Sequence, residues 1–135
     1  RWAFQNLLDT SQLAGINRTG APAVVAQWGC WNNYFVMPNQ DTMSQALLLR
    51  PNTLASAVIG ATALAEDSSH LALGLRFYDL VEDGRFDGSD MAAVGTLGEA
   101  LMHAKVDLLG RQPEHRASND SITLFGDPAM PLRQP

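Results

Sequence analysis

Among 135 residues there is one cysteine, which excludes an intrachain disulfide framework and any zinc site built on several thiolates. Basic charge is also scarce: 9 Lys and Arg face 14 Asp and Glu, giving a net charge of -5 and a pI near 4.9. A surface of that sign repels a phosphate backbone, so no nucleic acid is expected as a partner. Long apolar runs are missing. The longest, Leu54 to Ala65, is interrupted by Ser56, Gly60 and Thr62 and is too short to cross a bilayer, so no membrane partner is expected either. Motifs for metals and cofactors are absent as well. No histidine falls in an HExxH pattern, and the glycines of Gly95-Thr-Leu-Gly98 fit neither a Walker loop nor a dinucleotide fingerprint. The segment Asp83-Gly-Arg-Phe-Asp87-Gly88-Ser-Asp90 has Arg85 where an EF-hand wants Asp or Asn, and Val94 where it wants Glu. No metal and no cofactor is expected.

What is present suits a globular chain: 46% of residues are hydrophobic and 17% charged. The length fits a single domain over 1–135. Asp9, Thr10 and Ser11 offer caps for a short helix over about 10–17. The apolar run Ala23 to Ala26 reads as a strand covered on both faces. Asn32, Asn33, Pro38 and Asn39 mark a loop, after which Asp41 or Thr42 caps a helix ending at Leu49 before Pro51. Ala55 to Ala63 reads as a second buried strand. Asp67, Ser68 and Ser69 open an amphipathic helix whose Leu71, Leu75 and Tyr78 share a face. A longer helix is expected from about residue 91 to 109, with Val94, Leu97, Leu101, Ala104 and Leu108 in register and Glu99 and Lys105 pointing elsewhere. Ser121 to Phe125 forms a last strand. Strands separated by helices predict an α/β fold, with helices on both faces of a mostly parallel sheet. Three strands make a thin sheet, so further strands upstream are expected.

Cys30 stands where a buried strand gives way to a polar loop, the position at which open parallel sheets gather their sites. Gly29 leaves room for a close approach of backbone, and the Cys30 amide is placed to serve a tetrahedral oxyanion. On spacing alone, a lone thiol between two tryptophans reads more readily as a small buried hydrophobe. Trp28 reads as core packing, whereas Trp31, Asn32 and Asn33 are candidates for a cleft wall. His70, His103 and His115 all follow Cys30 and read as solvent-facing. Asp127 is expected to pin a turn. Asn17 and Asn119 each begin a glycosylation sequon.

The ordered passages AVVAQWGCWNNYFVMPN, DTMSQALLL, SAVIGATAL, LGEALMHAKVDLL and TLFGDPAMPL together resemble the gingipain family of caspase-like cysteine peptidases, from about Leu7 to Leu132. The resemblance implies a three-layer helix-sheet-helix fold of caspase type, here an incomplete one. It also implies that Cys30 is the nucleophile, with Gly29, Trp31 and Asn32 at the oxyanion site and cleft. Peptide or protein is the implied substrate, and export to the surface or surroundings of a bacterium is implied. Members carry a histidine before the cysteine, about 50 residues before it in caspases. Here 29 residues precede Cys30 and none is histidine. The chain therefore reads as the C-terminal part of a peptidase domain, inactive alone for want of its general base. The rival reading is a non-enzymatic half-domain or interaction module, completed by the missing N-terminal part or by another copy. A small-molecule acyl hydrolase has no supporting motif, since no GxSxG elbow is present.

Overall fold

The computed structural model describes residues 8–50, 54–83 and 94–132. The acidic loop expected over 83–90 lies almost entirely outside them. Small and β-branched residues place strand β2 (Ala55–Ala61) at the centre of the sheet, with every residue but Ser56 buried. Strand β1 (Ala23–Gln27) pairs with it in parallel, Val25 against Val58 and Ala26 against Ile59. Strand β3 (Ile122–Gly126) pairs on the other side, antiparallel, with Leu124 opposite Ile59. Among the described residues, the order β1-β2-β3 leaves β1 and β3 as edge strands. The expectation that β1 is covered on both faces fails for this reason. Val24 is 44% exposed, because only the central strand has neighbours on both sides and full cover above and below.

Side-chain alternation along β2 divides the core in two. Ala57, Ile59 and Ala61 face α2 (Asp67–Asp83) and α3 (Leu97–Arg111), meeting Leu73, Phe77, Leu80, Leu101 and Leu108. Val58 faces the opposite way, onto α1 (Met43–Leu49) and a 3-10 turn at Gln12–Gly15, through Leu13, Met43, Ala46 and Leu47. The result is a mixed α/β structure with helices on both faces of its sheet. A fourth, short helix, α4 (Arg116–Ser121), occupies a stretch whose polar sequence reads as loop.

Helix starts follow local chemistry closely. At α1 the Thr42 hydroxyl accepts from the Gln45 amide at 3.1 Å, while the Gln45 side chain accepts from the Thr42 amide at 2.8 Å. Thr96 and Glu99 make the same reciprocal pair at α3. That box starts α3 at Leu97, later than the apolar periodicity suggests. The spacing of Val94 is right, but its backbone precedes the cap.

The packing face of α2 also differs from the sequence reading. Leu71 and Leu75 are 63% and 59% exposed and Tyr78 is half exposed, while Leu73, Phe77 and Leu80 enter the core. Two apolar stripes run along this helix, and periodicity alone does not say which one meets the sheet. Inside the packed layer, Arg76 of α2 pairs with Asp107 of α3 at 3.1 Å.

The closing Gly126-Asp-Pro-Ala-Met turn docks onto the start of α3. Asp127 accepts from the Ala129 amide at 2.9 Å, the pinning role expected of it. The amides of Leu97 and Gly98, which have no partner inside the helix, donate to the carbonyls of Met130 (2.9 Å) and Pro128 (2.8 Å). A Cβ on Gly98 would lie 2.7 Å from both the Pro128 oxygen and its Cβ. Gly98→Ala should therefore lower unfolding stability by about 1–3 kcal/mol, measured by urea denaturation. An unchanged midpoint would show that this docking contributes nothing.

Candidate active site

β1 ends at Gln27, and the chain turns sharply to place Cys30 at the carboxyl rim of the sheet. Trp31 adopts φ 63, a left-handed conformation that is uncommon for a bulky residue and costs on the order of 1–3 kcal/mol. Hydrogen bonds on either side hold it there. The Trp31 amide donates to Ala63 at 3.2 Å, and the Asn33 amide donates to Ala61 at 2.9 Å. The Asn33 side chain is fully buried. Its Nδ2 donates to the carbonyls of Gly60 and Thr123, each at 3.1 Å, and its Oδ1 accepts from the Ser44 hydroxyl. Asn33 is thus an anchor between loop and sheet and not part of a cleft wall, because its amide is consumed by strand carbonyls. Gly60 makes room for it, since a Cβ there would approach the amide to 3.0 Å.

The Cys30 thiol is half-buried. Its Sγ donates to the Ala65 carbonyl at 3.2 Å and accepts from the Ala65 amide at 3.4 Å. Among the described residues its own backbone N–H donates to no group. A cavity of about 440 Å³ opens beside it, lined by Cys30, Trp31, Asn32, Tyr34, Met37 and Asp41 among others. Trp31 is 45% exposed and stacks edge-to-face on Tyr34 with ring centroids 4.6 Å apart. The Asn32 side chain donates to the Gly29 carbonyl at 3.2 Å, and a Cβ on Gly29 would crowd that amide at 3.1 Å. Gly29 thus accommodates the fold of the turn. Trp28 packs on Phe77 and donates from Nε1 to the Tyr78 hydroxyl at 3.3 Å, the packing role read from sequence.

No histidine lies on the thiol among the described residues; the hydrogen-bond partner of Sγ is Ala65 alone. The expectation of solvent-facing histidines is corrected at His70 and His115. His103 is half-buried on α3. His115 is mostly covered and bonds through Nδ1 to the Ser69 hydroxyl at 2.6 Å. His70 is buried in the first turn of α2 with no partner on Nε2. Periodicity missed His70 and His115 because each lies at the end of a helical element that packs against another segment. Ala65, which contacts the sulfur through its backbone, carries no side-chain signal at all, and Asp41 reads only as a helix cap. Of the two sequons, Asn119 is buried and donates to the Lys105 carbonyl, whereas Asn17 is exposed. No group of His, Cys, Asp or Glu among the described residues is arranged to hold a metal ion, and none of their helices is long and apolar enough to cross a membrane.

Fold and site together define a class: an α/β layer that presents one half-buried thiol at the carboxyl rim of its sheet, beside an open cleft. The profile of peptidase family C25 matches residues 1–133, and the chain belongs to this gingipain family of cysteine peptidases. Membership implies a peptidase-type domain with protein substrates. No curated protein and no solved structure matches the chain.

Burial lowers the pKa of His70 below its ordinary 6.5, the nearby Asp67 opposing the shift only in part. The unfolded chain then binds a proton that the folded chain refuses. Stability should fall as pH drops through about 6.5 towards the folded value. A His70→Leu variant should lose less stability than the parent between about pH 7.5 and about pH 5.5, read from paired denaturation curves. Equal losses would remove His70 as a source of the acid sensitivity.

Proposed function

We propose that the chain carries the nucleophile of a cysteine endopeptidase, and that Cys30 is that nucleophile. The observation that carries the reading is a half-buried Cys30 that lines a cleft at the strand end, with no acceptor for its N–H among the described residues. A substrate carbonyl entering the cleft meets the sulfur, the Cys30 N–H donates to the developing oxyanion, and the amine leaves as the C–N bond breaks. Thiolate attack gives an acyl-enzyme and water releases the acid. Gly29, Trp31 and Asn32 shape the turn and the cleft wall.

The general base comes from a part of the full-length protein other than the described residues, in keeping with a partial caspase-like fold and with export by a bacterium. The edge of β1 is where that part docks. An apolar cavity of about 240 Å³ lies beside it, lined by Val24, Ala26, Phe77, Tyr78, Val81 and Met130 among others. The 135-residue chain alone is inactive on this reading. A thiol-reactive peptide probe added to the full-length protein should label it, and Cys30→Ala should abolish both labelling and peptide hydrolysis. Equal labelling of the two proteins would end the assignment.

A second reading is favoured by the exposed stripe of Leu71, Leu75 and Tyr78, the last of which lines the same cavity. On it the chain is a non-enzymatic half-domain that pairs with another chain, since an open strand edge and bare apolar surface both promote association. Sedimentation of the isolated chain should then show dimers or larger species at micromolar concentration. A monomer at all concentrations would discard this reading.

A further inference from the structure

The segment 113–121 fastens onto the β2–α2 connection at three points, on both sides of the residue that touches the sulfur. Before Ala65, the Thr62 amide and hydroxyl both donate to the Ser121 carbonyl, at 2.8 and 3.0 Å. Directly after it, the Glu66 amide donates to the Ser118 hydroxyl at 3.1 Å. One turn further on, Ser69 Oγ and His115 Nδ1 lie 2.6 Å apart, with the Glu66 carboxylate 3.4 Å from the same nitrogen. Positions 62, 66 and 69 thus meet 121, 118 and 115 in reverse order. Ser69 and Ser118 are buried, so these bonds form where water does not compete for them. Between the fastenings, the Ala65 peptide holds the Cys30 sulfur by its carbonyl and its amide.

We infer that Ser118 and His115 are positioning residues for Cys30, acting through the Ala65 peptide. This rests on the reading of Cys30 as nucleophile for its catalytic meaning, but not for its geometry. Both side chains act on a connection that has no side-chain chemistry of its own at the point of contact. With the clamp closed, the thiol is held to one rotamer against Ala65, facing the cleft. With a fastening removed, the connection shifts, the S–H···O=C bond loosens and the sulfur becomes more accessible but less well aimed. A Ser-His-Glu group of this kind, with its serine buried and its carboxylate exposed, resembles a hydrolytic triad in composition only. Ser69 is closed to solvent, and it shares Nδ1 with the carboxylate instead of occupying the opposite ring nitrogen.

The test follows iodoacetamide alkylation of Cys30 in the full-length natural protein, read at that cysteine by peptide mass mapping. Ser118→Ala and His115→Phe should each raise the alkylation rate about three- to tenfold, the scale of one lost buried hydrogen bond. His115→Asn, whose amide replaces Nδ1, should stay within about twofold of the parent. Leu80→Ala, a core change on α2 well beyond Ser69 along the helix, should leave the rate unaltered despite its loss of stability. In peptide hydrolysis the two clamp variants should lower kcat with KM unchanged, since the cleft walls are untouched. Unchanged alkylation in Ser118→Ala and His115→Phe would overturn the inference, as would equal acceleration by Leu80→Ala or a rise in KM alone. Persistent hydrolysis by Cys30→Ala would instead sink the nucleophile assignment, leaving the alkylation rates to decide the clamp.

Discussion

The Asn33 amide donates to one carbonyl of β2 and one of β3, and accepts the Ser44 hydroxyl of α1, so a single side chain joins the loop after Cys30 to three elements. The cost of burying an amide is met because both donors and the acceptor are used. That satisfaction is what makes the neighbouring Trp31 conformation affordable. A left-handed tryptophan would relax in a free loop, but here it is trapped between backbone bonds to Ala61 and Ala63. The direction of the thiol follows from this constraint.

Around it, the two sides of the site have different origins. The cleft side is built from residues close to Cys30 in sequence: Trp31, Tyr34 and Met37 from the loop, Asp41 from the approach to α1. The opposite side is long-range, contributed by Ala65 some thirty-five positions on and stiffened by α4. Sheet topology explains the meeting. A parallel β1–β2 pair brings both strand ends, and the connections that leave them, to the same rim.

The apolar surface has a parallel logic. β1 is an edge strand with Val24 exposed, and the outward stripe of α2 lies near it with Leu71 and Leu75 bare. Val24 and Ala26 of the strand share a cavity with Phe77, Tyr78 and Val81 of the helix.

Much was legible from residues alone. The strands appear where the apolar runs lie, Thr42 caps α1, Asp127 pins its turn, and the ordered motifs point to the gingipain family. These are local properties: propensity, capping and short turns depend on neighbours in the chain. Tertiary structure alone decided the rest. It chose Leu73, Phe77 and Leu80 over Leu71, Leu75 and Tyr78 as the buried stripe of α2, because only the position of the sheet breaks that tie. It buried Asn33 and Ser69, whose polarity in sequence suggests exposure, because strand carbonyls and the His115 ring supply what water would otherwise offer. And it brought the backbone of an alanine to the sulfur, a contact that depends on where two chain segments meet and not on what either residue is.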